Sequence, residues 1–477
     1  MLKIFNTLSG QVEEFLPLKN NSVGFYSCGP TVYNYAHIGN FRAYVFFDLF
    51  KRYLRFRGFS VTHVMNITDV DDKTIRDSIK NKKSLKEFTE FYLSAFLADL
   101  KALNISLPDV MPKATDHIAD IVAFIKKLMD SGFAYQSGDS VYFNIQKSAG
   151  YGTLAKLERQ NLKENAEARL DSSDEYEKEN ANDFVLWKGY KPEDGDVFWD
   201  TELGKGRPGW HIECSVMAMK YLGDSFDVHS GGVDLVFPHH TNEIAQAEAY
   251  SGKPFVKYWL HNEHLMVDGA KMSKSLGNFY SVNDLREKGF NPILLKILLQ
   301  KINYRQILNF TFAGLEEASV IAKKILELLI GLDFVQSEKE NDFNVEKFII
   351  ANKEKIISAM DDDLNVSVAY AELLDFVSES NKLLKKMNTD QSLVIKKYIF
   401  ELDQIFGFIE NIYANYNEKL KKVLADEEVE SLIASRQEFK TAKDYENADK
   451  QRAALLEKGV VINDLPGGSY SVRLLDL

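Results

Sequence analysis

The segment from Val23 to Asn40, VGFYSCGPTVYNYAHIGN, constrains this chain more than any other. Residues 23 to 27 read as a short apolar strand that breaks at Cys28, Gly29 and Pro30, after which the chain runs tightly into His37, Ile38, Gly39 and Asn40. Beyond it Val45, Leu49, Tyr53 and Phe56 recur near the helical period, which predicts an amphipathic helix over 41–56. His37 to Asn40 then stand at a helix N-terminus just past a strand end. An α/β sheet places phosphate there, because the first helical turn offers unpaired N–H groups and the positive end of the dipole. Gly39 lets a ligand approach the backbone, and the His37 imidazole and Asn40 amide can reach phosphate or ribose. Taken alone, four such residues are more often a capped turn with a satisfied histidine.

A second stretch changes the balance. Lys271-Met-Ser-Lys-Ser275 follows HNEHLMVDGA, which reads as a strand turning at Asp268-Gly269. Lys271 and Lys274, interleaved with Ser273 and Ser275 in a Gly-flanked loop, form a clamp suited to polyphosphate rather than an ordinary solvated charge run. The two motifs together resemble the paired signatures of class I aminoacyl-tRNA synthetases. Along nearly its whole length the chain is similar to the cysteinyl-tRNA synthetase family, through YSCGPTVYNYAHIGN, MNITDVDDK, GRPGWHIECS, FDVHSGGVDLVFPHHTNEIAQ and KMSKSLGN. It departs from the common class pattern at Asn40, where that pattern has histidine. Asparagine keeps the hydrogen bonds but cannot carry positive charge.

Length and composition agree with such an enzyme. A chain of 477 residues exceeds one ordinary core, so two to four domains are expected. With 45% hydrophobic and 27% charged residues it has the profile of a soluble globular protein, without an 18-residue apolar run or a cleavable leader pattern. A cytoplasmic protein with no membrane partner is expected. The net charge of −12 argues against coating nucleic acid by bulk charge, yet a tRNA needs only a local basic patch. Two cysteines, Cys28 and Cys214, suggest no disulfide in a reducing compartment.

In chain order, residues 1–130 alternate strand and helix, and Thr68, Asp69, Asp71 and Asp72 close a second strand. Residues 131–200 turn to short strands and an acidic run, LKENAEARLDSSDEYEKENAND, as an insertion interrupting a parallel sheet would. Residues 201–285 return to the sheet. Gly204, Gly206 and Gly209 spell a GxGxxG, a poor dinucleotide fingerprint because Pro208 lies inside it and the preceding strand is doubtful. From 286 to 424 apolar residues recur at three and four, as in a helical bundle. Residues 425–477 hold a charged helix stopped by Gly459, then short strand-like pieces.

Pro238 at a first helical position predicts a helix over 238–250, with His239 and Glu243 four apart on one face. Cys28 and Cys214 could complete a tetrahedral S₂NO zinc site with them. Spacing does not choose between His239 and His240, which is three from Glu243. The resemblance selects Cys28, Cys214, His239 and Glu243, with one zinc per chain.

The resemblance further implies an α/β, Rossmann-type class I catalytic domain with an inserted connective domain, followed by a helical bundle and a small C-terminal α+β anticodon-binding domain. It implies ATP with Mg²⁺, L-cysteine and the tRNA for cysteine as partners of a monomer. His37, Asn40, Lys271 and Lys274 would be catalytic, with Gly39, Ser273 and Ser275 also at ATP. Gly29, Thr68, Trp210 and His229 would surround the amino acid; Arg436, Tyr445 and Arg452 would meet RNA. A ligase giving cysteine to a small amine is the nearest alternative, but such relatives lack the segment 425–477. A zinc-dependent RNA-binding protein would need neither His37 nor the lysine pair.

Overall fold

A computed structural model describes residues 1–157, 183–272, 276–338, 340–464 and 470–475. The chain divides into two compact units, one comprising Met1–Pro292, Ile302–Thr311 and Met360–Asn365, the other Ile293–Lys301, Phe312–Ala359 and Val366–Leu477. No helix among the described residues is long and apolar enough to cross a membrane.

The first unit opens with a hairpin, β1 (Lys3–Asn6) and β2 (Gln11–Glu14), and then builds a parallel sheet. Strand β3 (Ser22–Ser27) leads through helix α1 (Ile38–Phe56) to its neighbour β4 (Ser60–Met65). Helix α1 forms because its apolar positions fall on a broad face, burying Phe41, Phe47 and Phe50, each worth roughly 1.5–3 kcal/mol. It begins three residues earlier than the periodicity predicts. His37 is its N-cap, with His37 Nδ1 accepting from Asn40 N at 3.2 Å and Asn40 Oδ1 accepting from His37 N at 3.0 Å. This reciprocal pair is a capping box built from histidine and asparagine.

Helices α2 (Asp72–Lys80), α3 (Leu85–Ala102) and α4 (Ile118–Asp130) follow. The chain then leaves the parallel sheet for an antiparallel one of five strands: β5 (Ala134–Ser137), β6 (Ser140–Phe143), β7 (Phe184–Gly189), β8 (Trp199–Thr201) and β9 (Gly204–Pro208), in the order β5-β6-β7-β9-β8. Strand β9 contains two of the three GxGxxG glycines. A Cβ at Gly206 would stand 2.1 Å from Lys188 O, and one at Gly209 2.3 Å from Val185 O, so these glycines permit close strand packing. The acidic run 162–183 lies outside the described residues, apart from Asp183.

The parallel sheet resumes with β10 (Phe226–Gly232) and β11 (Val256–Asn262), giving the order β11-β10-β3-β4. From β3 the chain goes to β4 on one side and later returns to β10 on the other. The switch point therefore lies between β3 and β10, and a crevice outside their carboxyl ends is where such sheets bind ligands. A three-stranded piece, β12 (Leu265–Val267), β13 (Ala270–Lys271) and β14 (Leu308–Phe310), completes the unit.

The second unit is helical. Long helices Phe312–Asp333, Val366–Leu383, Thr389–Phe406 and Ile409–Leu424 bury stripes of mostly apolar residues, as the three-and-four spacing predicts. Two more helices, Glu427–Thr441 and Tyr445–Glu457, pack beside the hairpin β15 (Val460–Asp464) and β16 (Tyr470–Leu474) over Val429, Leu455, Val460 and Ile462.

Candidate active site and metal centre

Cys28 follows β3 directly, at the switch point. Cys214 lies in the second turn of the helix Trp210–Leu222, which starts where β9 ends. His239 sits in the turn Val236–His240 and Glu243 in the helix Thr241–Ser251 behind it. The helix expected over 238–250 is thus corrected: Pro238 precedes it, because Phe237 is extended (φ −139°, ψ 131°), the conformation a residue before proline favours.

The ligand atoms of Cys28, Cys214, His239 and Glu243 lie within 4.8 Å of one another, and so do those of Cys28, His229, His240 and Glu243. Hydrogen bonding separates the two sets. His240 Nε2 is 3.2 Å from Cys28 Sγ and its Nδ1 is 2.8 Å from His261 Nε2, while His261 Nδ1 meets Thr7 Oγ1 at 2.8 Å. His229 Nε2 meets Glu243 Oε2 at 2.9 Å. His240 and His229 therefore orient Cys28 and Glu243, as outer partners of a metal site do. His239 has its Nδ1 2.9 Å from His211 Nδ1, and its Nε2 comes within 3.0 Å of Glu243 Oε1. Those last two atoms are misaligned for a hydrogen bond, and Oε1 is buried without one. A ring nitrogen and a carboxylate oxygen this close without a hydrogen bond between them fit a cation shared by their lone pairs.

The electrostatics agree. A hydrogen bond from Cys28 lowers the Cys214 thiol to about 6 against the cost of burial. Burial and the same pairing push Cys28 up. Burial opposes charge on His239, but Glu243 and Cys214 outweigh it and raise its pKa to about 10. Burial likewise opposes charge on Glu243, yet His229 and His239 hold it at about 2. Two sulfurs, one nitrogen and one oxygen at this spacing fit zinc in tetrahedral coordination.

Around this cluster stand the residues expected at the amino acid. Trp210 lies with its ring 4.3 Å from that of His239. Gly29 N donates to Asn66 Oδ1 at 2.9 Å, and a Cβ at Gly29 would stand 1.6 Å from Asn66 O, so only glycine carries the chain past Cys28 here. Thr68 Oγ1 donates to Glu213 Oε2 at 3.2 Å. His229 is fully buried behind Glu243. Sequence reasoning missed Asn66, His211, Glu213 and His261; their signal was polar side chains inside otherwise apolar runs.

The two signatures come together. Ile38 N donates to Tyr280 O at 2.9 Å, and the His37 ring lies 5.0 Å from that of Phe279. A Cβ on Gly39 would meet Met272 Cε at 2.9 Å, so Met272 rests on the start of α1. Lys271 is exposed at the end of β13. Ser273, Lys274 and Ser275 lie outside the described residues. Because His37 Nδ1 accepts from Asn40 N, its proton sits on Nε2, the donor a phosphate oxygen needs.

The residues expected at RNA fare differently. Tyr445 is 61% exposed. The expectation that Arg436 faces RNA is corrected: it is 1% exposed and donates to Asp464 at 2.8 and 3.0 Å. Arg452 also donates to Asp464, at 2.7 Å, as does Lys440 at 2.6 Å. Burial works against the Asp464 charge, but Lys440 and Arg436 outweigh it and hold its pKa at about 2. A depressed carboxylate stabilises the fold above its unfolded pKa, so this contribution is present above about pH 4 and lost as pH falls towards 2. Asp464→Asn should lower stability at pH 7 by about 1–2 kcal/mol, less than for a fully buried pair because Asp464 is over a third exposed. Thermal unfolding should then show variant and unsubstituted chain converging below pH 4; a constant gap down to pH 2 would refute the assignment.

Residues 14–320 match the tRNA synthetases class I (C) catalytic domain, and residues 355–410 a DALR domain. Sheet, switch point and paired signatures thus define a class I aminoacyl-tRNA synthetase. The chain is 45% identical to the cysteine–tRNA ligase of Brachyspira hyodysenteriae, over 97% of this chain and 98% of that one, and 44% identical to that of Leptospira interrogans, over 98% of each. It belongs to the cysteine–tRNA ligase family. The fold is also that of Mycobacterium tuberculosis methionyl-tRNA synthetase in complex with methionyl-adenylate, at 14% identity and a TM-score of 0.57, covering 82% of this chain and 88% of that one.

Proposed function

We propose that the chain joins L-cysteine to its tRNA through a cysteinyl-adenylate, with the cluster Cys28, Cys214, His239 and Glu243 holding a zinc ion that selects the amino acid. The observation that carries this reading is the convergence of two sulfurs, an imidazole and a carboxylate at Cys28, just past the end of β3. Zinc bound there would take the substrate sulfur as thiolate, a ligand that the hydroxyl of serine cannot match at neutral pH. A pocket reading shape alone would separate such near-isosteres only about 10²-fold.

The protein's own groups do the rest by position and charge. Gly29, Thr68 and Trp210 hold the amino acid so that its carboxylate faces the α-phosphorus of ATP, whose Mg²⁺ accompanies it. The carboxylate oxygen attacks phosphorus and pyrophosphate leaves. No side-chain nucleophile is needed, so catalysis is alignment plus stabilisation of developing negative charge. His37 Nε2–H, the amides at the start of α1 and Asn40 serve the phosphates, as do Lys271, Ser273, Lys274 and Ser275 of the second signature. A terminal ribose hydroxyl of tRNA then attacks the carbonyl carbon of the adenylate, and AMP leaves. The chain acts as a monomer in the cytoplasm, a reading supported by its similarity to cysteine–tRNA ligases. Transfer to a small amine is not favoured, because the similarity to cysteine–tRNA ligases runs through the C-terminal segment as well.

The test is amino-acid-dependent exchange of pyrophosphate into ATP, with cysteine and serine compared and metal quantified on the same sample. Cysteine alone should support exchange, with about one zinc per chain. Chelation should abolish exchange and added zinc restore it. Cysteine inert despite bound zinc overturns the reading.

A further inference from the structure

Between 72 and 86 a chain of net charge −12 carries six cations against two carboxylates. A lysine run is ordinarily a solvated face, but three features set this one apart. First, Arg76 pairs with Asp77 and Lys86 approaches Glu90, whereas Lys80, Lys82 and Lys83 form no ion pair among the described residues. Second, exposed aromatic rings adjoin them. Tyr35 and Phe91 are each 49% exposed, with ring centroids 6.1 Å apart; Tyr92 lies 5.3 Å from Tyr35, and Lys83 Nζ stands 5.1 Å over the Phe91 ring. Third, Tyr35 precedes the N-cap His37 by two residues, so their Cα atoms are at most about 7 Å apart.

Unpaired lysines beside exposed aromatic rings are the equipment that holds single-stranded nucleic acid, phosphates on the cations and bases on the rings. We infer that Tyr35, Phe91 and Tyr92, with Lys80, Lys82 and Lys83, dock the single-stranded 3′ end of tRNA as it enters the active site. Only that part of a tRNA must bring a ribose hydroxyl to an adenylate seated at His37, and only unstacked bases can use the rings. The inference rests on the ligase reading and gives its second substrate a point of entry.

Two variants test it, Lys80→Ala/Lys82→Ala/Lys83→Ala and Tyr35→Ala, each at exposed positions. Binding is measured with intact tRNA for cysteine and with the same tRNA trimmed of its single-stranded 3′ nucleotides. Intact tRNA should bind Tyr35→Ala roughly five- to hundredfold more weakly, the range for one lost stacking platform. For the lysine variant the slope of log affinity against log salt should fall by about two, three charges at about 0.7 each. Trimmed tRNA should bind the variants and the unsubstituted chain equally. Equal weakening for both tRNAs, or none for either, overturns the inference. The unsubstituted chain separates this from the ligase reading: if it exchanges pyrophosphate with cysteine but binds both tRNAs alike, the docking surface fails alone. If it discriminates the two tRNAs but is inert in exchange, the cysteine reading fails instead.

Discussion

Replacing Cys214 by serine is expected to remove both the metal and cysteine activation while leaving ATP binding nearly unchanged. Loss of an outer partner of a metal site costs about 10- to 100-fold, so loss of a ligand should exceed 100-fold in cysteine-dependent exchange. The hydroxyl nearly matches the thiol in shape, and Cys214 is buried where the helix Trp210–Leu222 meets the sheet, so the fold around it should persist. In the proposed mechanism ATP is served by α1 and the 271–275 loop, whereas Cys214 belongs to another helix. Metal content and exchange must therefore fall together, with ATP affinity as the control. A metal-free variant that still activates cysteine would remove zinc from the account of specificity.

His37 carries the second large effect, and here two roles must be separated. As N-cap it satisfies an amide at the start of α1, worth about 1 kcal/mol to the helix. As the proposed donor through Nε2 it would meet charge that develops on phosphate, and loss of one such donor costs on the order of 10²–10³ in rate. His37→Ala should lose both. His37→Asn supplies a good cap but no imidazole, so its thermal stability should stay near that of the unsubstituted chain while activation falls by the full 10²–10³. Normal activation in His37→Asn would leave the histidine a capping residue only.

How far the sequence revealed this site differs from residue to residue, for physical reasons. The strand, the break at Cys28 and helix α1 follow from local periodicity and were legible. The choice of His239 over His240 was not, because both are compatible with Glu243 by spacing. In space His240 is engaged by His261, itself held by Thr7, both remote from it in sequence, which favours His239 as the ligand. The helix boundary at Pro238 misled because proline at a first helical position is common, whereas here the preceding residue is extended. The reciprocal bonds of His37 and Asn40 were hidden because neither a histidine cap nor an asparagine partner is the usual pairing. Arg436 reads as a surface cation in a charged helix; only the fold-back of β15 brings Asp464 onto it and draws it inside.

The chain of hydrogen bonds from Cys28 through His240 and His261 ends at Thr7, directly after β1. The opening hairpin looks peripheral, a two-stranded flap with β2 largely exposed. Yet trimming the first few residues would strip His261 of its anchor and set His240 loose against the sulfur it steadies. Damage at the very start of the chain would thus be felt at the floor of the active site, without any catalytic residue being altered.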